Sequence, residues 1–258
     1  VDKGSFAGVI VALGGILLGL TLEGGKIGQI LQPTAALIVF GGTLGAIMLQ
    51  FPLAVVLAAF ASLASVFFEP AGDSLMVVKE MVGYAQKARK EGIVSLDPEI
   101  DKIPDSFLRK SLMLAVDGTE PAELRKIMEF ELDNEAERSE NIPKVFESAG
   151  GFSPTIGIIG AVLGLIQVMQ HLNNISEVGR GIAVAFVATI YGVASANLFF
   201  LPAAGKLKIR NRAVELRHEI ALEGVISILE GMNPRMVETK LLSFLAESKQ
   251  TRKAEAAK

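Results

Sequence analysis

The chain has 258 residues, half of them apolar, with a mean hydropathy of +0.45 and a formal net charge of −3. That hydropathy belongs to a polytopic membrane protein with a substantial wet portion, not to one or two soluble domains. The absence of cysteine excludes a disulfide framework and thiolate metal sites. With only His171 and His218, a histidine metal centre or Ser-His-Asp machinery is disfavoured.

In chain order, residues 5–22 form the first predicted span, uncharged, with Gly15 and Gly19 spaced as in G-x-x-x-G. A single Lys3 precedes the run and no A-x-A cleavage pattern follows it, so it is read as a retained span. After the linker EGGKIGQILQ, residues 33–51 form the second span, opened by a proline whose missing N–H costs nothing there. Residues 52–68 are also uncharged and long enough to raise the possibility of a further crossing. Their pattern is two-faced: Leu53, Val56, Leu57, Phe60, Leu63 and Phe67 oppose Ala54, Ala58, Ala61, Ser62 and Ser65. That favours a helix lying along the membrane surface or packed on a neighbour.

Residues 69–149 are strongly polar, with 11 Lys/Arg and 18 Asp/Glu. Apolar residues recur at helical spacing over 75–90 and 106–116 and again after Thr119-Glu120-Pro121, a helix start. The block is too large for a loop and suits a small helical domain. Two further spans follow, 152–172 and 181–204, joined by a short polar turn and free of Asp, Glu, Lys and Arg. Gly157, Gly160 and Gly164 line one side of the third span, the mark of close helix packing. The chain ends in a tail that opens with the basic run KLKIRNR, and its last dozen residues are expected to fray.

Sidedness follows from Lys and Arg rather than net charge. The polar block and the tail hold 22 of the 25 basic residues, while the two hairpin turns hold one each. Block, tail and, with four spans, both termini are therefore expected on the cytoplasmic side. The expected fold is all-α: four transmembrane helices with a helical cytoplasmic domain between spans two and three. Residues 1–51 hold spans one and two, 52–149 the interfacial helix and cytoplasmic domain, 150–204 spans three and four, and 205–258 the tail.

The polar block carries no phosphate loop, paired-His helix or nucleophile elbow, so neither enzyme, cofactor, metal nor nucleic-acid partner is expected. The hairpin is more informative. Thr189, Tyr191, Ser195 and Asn197 are the polar groups of span four. Ala161 lies about 14 Å in from one end of its span and Thr189 about 18 Å in from the matching end of its own. An ion-driven device needs an ionisable residue in the bilayer, and these spans have none. Either the chain moves no ions or a partner helix supplies the carboxylate.

Three stretches carry a resemblance: KARKEGIVSLD at 87–97, GGFSPTIGIIGAVLGLIQVM at 150–169 and AVAFVATIYGVASANLFFLPAAGKLK at 183–208. With the four-span layout they make the chain similar, over nearly its whole length, to the A subunit of the bacterial flagellar stator. This is the MotA/PomA family of the MotA/TolQ/ExbB proton channel superfamily. The resemblance implies an inner-membrane homo-oligomer, thought to be a pentamer, around a MotB-type B subunit whose transmembrane aspartate carries the ion. It implies that the cytoplasmic block passes torque to the rotor protein FliG. By position, Arg89 falls on the family's rotor-contacting arginine and Asp97 on its acidic counterpart, one methylene shorter, with Lys90 and Glu91 beside them. Pro154 and Pro202 match the two prolines at the cytoplasmic ends of spans three and four, expected to couple ion passage to movement. Thr189 matches the threonine lining the ion path, with Tyr191 near it. Ala161 stands where sodium-driven members carry threonine, which removes an oxygen ligand and favours protons. The alternatives are a sodium-driven stator and an ExbB/TolQ-type energiser of outer-membrane processes; the latter typically has three spans.

Overall fold

The computed structural model describes residues 2–68 and 73–255, and among these every regular element is a helix. Helix α1 is Lys3–Leu22, capped by Asp2, whose Oδ1 accepts the N–H groups of Gly4 and Ser5. Helix α2 is Pro33–Gln50, with proline at its first turn and a π-type turn at Leu37–Gly41. Helix α3 is Leu53–Phe68, α4 Ser74–Glu91, α5 the single turn Asp97–Ile100, and α6 Ser106–Val116. Helix α7 runs unbroken over Pro121–Gln170 and α8 over Ile175–Leu229, with a π-type segment at Ala196–Phe200; α9 is Pro234–Glu255. Among the described residues, four helices carry stretches long and apolar enough to cross a membrane, α1, α2, α7 and α8. The C-terminal stretch expected to fray is helical as far as Glu255, and 256–258 lie outside the described residues.

The chain packs as two compact units, Val1–Pro70 with Ser139–Ile209, and Ala71–Arg138 with Arg210–Lys258. In the first, α3 buries neither of its two sequence faces as a whole. Leu53, Leu57 and Phe60 stay exposed, while Val56, Ala59 and Val66 join Ile47, Phe146, Ala149, Ala204 and Leu207 in a core. The outward leucines and phenylalanine suit lipid, and the smaller residues let the helix sit close to its neighbours. Helix α1 buries none of its residues fully, so much of its apolar surface is left for lipid or another chain.

The second unit has its own core, with Met81, Leu96, Phe107, Leu112, Leu124, Met128, Ile220, Ile226 and Leu241 fully enclosed. Residues 210–229 and α9, which read as a basic tail from their charge, supply Ile220, Val225, Ile226, Val237 and Leu241 to it. The charged residues interspersed among them mask the apolar period in the sequence. Gly224 lets α8 approach α4, since a Cβ there would lie 2.6 Å from Met81 Cγ. Glu223 is nearly enclosed and holds two cations, Arg125 Nη2 at 2.8 Å and Lys240, joining α7, α8 and α9. Those ion pairs hold its carboxyl below the ordinary glutamate range, against burial, which pushes it up most.

Candidate functional site

Spans three and four meet along a seam of small residues. Gly157, Gly160 and Gly164 face Gly181, Ala185, Ala188 and Gly192 at near-backbone separation. A Cβ on Gly192 would stand 2.5 Å from the Ser153 carbonyl oxygen, one on Gly157 2.9 Å from the Ala188 carbonyl, and one on Gly164 2.8 Å from the Gly181 carbonyl. Such spacing trades side-chain volume for dispersion contact along two whole helices. Ser153, fully buried, adds a hydroxyl donated to the Gly192 carbonyl at 3.1 Å. The glycines of span three were marked by sequence. Their partners at 181, 185, 188 and 192 were legible too, as small residues recurring at four, three and four.

Ala161 and Thr189 lie on the edges of this seam, each half-buried. Because Gly160 faces Ala188, the two positions are at one level to within about 2 Å along antiparallel helices. Thr189 donates its hydroxyl to the Ala185 carbonyl at 3.2 Å, which leaves the oxygen's lone pairs able to accept. It opens onto a shallow apolar cleft of about 430 Å³ with Ile16, Val193 and Asn197. Ser195 and Asn197 likewise donate to carbonyls of their own helix, at 3.1 and 2.9 Å. Tyr191 is committed elsewhere. Its hydroxyl donates to the Ile30 carbonyl at 2.5 Å, accepts the Gln32 N–H at 3.2 Å, and its ring stacks on Phe40. It ties the linker between spans one and two to span four.

Pro154 sits inside α7, its Cα within 3.2 Å of where a Gly192 Cβ would be. Pro202 follows the π-type segment 196–200, and its ring displaces the carbonyl of residue 198, so the extra residue of the π turn absorbs the mismatch. It borders a cavity of about 320 Å³ with Ser5, Val9, Val66 and Lys206. Lys206 donates to Asp2 and, at 2.9 Å, to the Ser5 hydroxyl.

The charged candidates sit together in the second unit. Arg89, Lys90 and Glu91 end α4 and are exposed, the two cations complementing the helix dipole. Gly92, at φ +83°, turns the chain, and Asp97 opens α5, also exposed. An ion pair between Lys87 and Glu99 clips the two segments together over Ala85, Leu96 and Ile100. The result is a mixed-charge corner beside a buried apolar cluster.

Sequence reasoning passed over one cluster. His218, 6 % exposed, has Nε2 3.2 Å from Asp105 Oδ2 and Nδ1 3.2 Å from Glu135 Oε2, and stacks on Phe107 at 4.5 Å. Among the described residues no group of three or more His, Asp or Glu is arranged to hold a metal ion.

A family model described as the MotA/TolQ/ExbB proton channel family matches residues 99–220, and one described as motility protein A N-terminal matches 6–92. Motility protein A of Bacillus subtilis is 34% identical over 248 residues, covering 95% of this chain and 91% of that protein. The C. jejuni MotAB structure superposes with a TM-score of 0.89 at 29% identity, over 95% of this chain and 96% of that one. The flagellar MotAB stator complex of Bacillus subtilis superposes at 0.87 and 33% identity, over 98% and 100%.

Proposed function

The chain belongs to the MotA/TolQ/ExbB proton channel family, and from that premise we infer that it is the A subunit of a flagellar motor stator. It forms an ion channel with a MotB-type partner in an oligomeric, multi-pass inner-membrane complex. The observation that carries this reading is full-length agreement with two solved stator chains, spans and polar unit together. The family is one of channels rather than enzymes. The match of 6–92 to the motility-protein N-terminal model favours a stator over an outer-membrane energiser.

In the finer reading, five copies surround the B subunit, the polar unit and both termini face the cytoplasm, and the unit's charged corner engages FliG. The ion is a proton carried by the B subunit's aspartate. Thr189, with its lone pairs facing away from its own helix, and Ala161 at the same level line the route, and Tyr191 positions the span beside it. Pro154 and Pro202 let spans three and four change angle as each ion passes. An ion crossing 100 mV releases about 2.3 kcal/mol. Arg89, Lys90, Glu91 and Asp97 deliver that work to the rotor through complementary charge.

Swimming in a strain carrying this chain as its only A subunit tests the reading. Arg89→Glu and Asp97→Lys are each expected to slow swimming at least several-fold, with membrane abundance unchanged, and Thr189→Val to lower it at every proton gradient. Unchanged swimming in both charge variants would mean the corner is a solvated surface.

A further inference from the structure

At the end of the hairpin opposite the basic run, spans two, three and four leave a cleft of about 520 Å³. Its lining is mixed, with the exposed Leu163 and Ile166 beside four polar side chains. Thr34 of α2, Gln167 of α7, and Glu177 and Arg180 of α8 all line it. Below them the wall becomes apolar, and Ile38 closes the floor. Ile38 Cγ2 lies 3.4 Å from where a Gly160 Cβ would be, and Gly160 packs on Ala188. The floor is therefore one residue from Ala161 and one from Thr189.

We propose that this cleft is the external vestibule of the ion route, a water-filled mouth where Glu177 concentrates protons and Ile38 forms the dry floor above the mid-membrane level. The proposal rests on the stator reading and its sidedness. Four features carry it. Polar groups from three different helices converge on one cavity, which in a bilayer is tolerated where water enters. Its residue Ile38 packs at the level of Gly160 and Ala188, the chain neighbours of Ala161 and Thr189. On the side opposite the basic run the acids are Glu23, exposed on the linker between spans one and two, and Glu177, half-buried in the cleft. A carboxylate in a wet mouth with low-dielectric walls raises the local cation concentration, and a guanidinium beside it limits that effect.

Glu177 also has a plain helix-start role, since it lies in the first turn after the Asn174 cap, whose side chain accepts the Ser176 N–H. Glutamine serves a cap equally well, so Glu177→Gln separates charge from capping. In cells swimming on this chain and its B subunit, speed is measured against external pH. Glu177→Gln is expected to raise the half-saturating proton concentration about threefold, more than it changes the limiting speed, and Arg180→Gln to lower it. A uniform fall in speed at all pH values would mark Glu177 as structural and overturn the proposal.

The chain has no cysteine, which permits a second, independent reading. Thr34→Cys and Gln167→Cys should react with a membrane-impermeant thiol reagent added outside intact cells. Ile158→Cys, on the lipid-exposed side of α7, should not. Conducting complexes whose cleft cysteines stay unlabelled would overturn the vestibule alone. Labelling only from the cytoplasmic side would overturn the assumed sidedness, and a wild-type complex that drives no swimming would overturn the stator reading itself.

Discussion

A backbone N–H at the start of a helix has no intrahelical partner, and at Gln32 the phenol of Tyr191 takes that place. Gln32 makes no side-chain cap of its own. The same hydroxyl donates to the Ile30 carbonyl, so one oxygen joins the end of the 3-10 turn Ile27–Ile30 to the start of α2. Tyr191→Phe keeps the ring stack on Phe40 and removes both bonds. It is expected to cost about 1–3 kcal/mol for backbone groups left unpaired. Hydrogen exchange over 27–36 should speed up while the rest of span four keeps its protection; equal exchange in both chains would show that water substitutes for the phenol. From sequence, Tyr191 was legible as a polar group in span four but not as a clamp, because its partner lies 159 residues away in a linker with no pattern of its own. Thr189 was more legible: a threonine in a membrane helix bonds its own backbone, and this one does.

At the scale of elements, the start of α6 is held by an acid with two duties. Asp105 caps the helix by accepting the Leu108 N–H at 2.9 Å and also faces His218. The bond with His218 is the chief reason its carboxyl is held at about 2, below its ordinary 3.8; burial opposes this and the Leu108 amide assists. A carboxyl whose folded value is depressed stabilises the fold above its unfolded value and loses that contribution as the pH falls through the folded one. The stabilisation from Asp105 is thus fully present above pH about 4 and fades towards pH 2. In the full chain, exchange protection over 105–116 should fall across that window. Asp105→Asn should be less protected at pH 6 and show a smaller fall on acidification; parallel curves for the two proteins would refute the assignment. Sequence periodicity found α6 within its bounds, since 106–116 is amphipathic and capped. It did not find the apolar face of 210–229, where alternating Arg and Glu dominate the eye. It also did not say which face of α3 turns inward, because in a membrane the larger residues have no solvent to escape.

For the whole molecule, the distribution of charge is the informative quantity. Four spans without an acid or base can form a path only together with a chain that brings one. The chain reconstituted alone in vesicles is therefore expected to pass no proton current, and the complex with its B subunit to pass one that vanishes when the B aspartate becomes asparagine. Proton current through the A subunit alone would break this account. The fold class and the four spans were readable from hydropathy and the count of basic residues, because those properties are summed over many residues. The packing of the polar unit was not, because residues contributing to its core are far apart in the chain. The candidate ion-path residues became specific only through the resemblance, since a lone threonine and alanine carry no signature by themselves.

The seam between spans three and four has a consequence for how such a protein can change. With backbone atoms already in contact at Gly157, Gly164 and Gly192, substitution along the seam is closed to anything larger than hydrogen without movement of a helix. On the proposed ion route, variation that alters which ion is carried would fall on the two borders, at Ala161 and Thr189, which are half-buried and lie off the tight seam. An invariant spine and a variable rim would let one scaffold exchange its fuel by single substitutions, and would make the rim the place to begin a redesign.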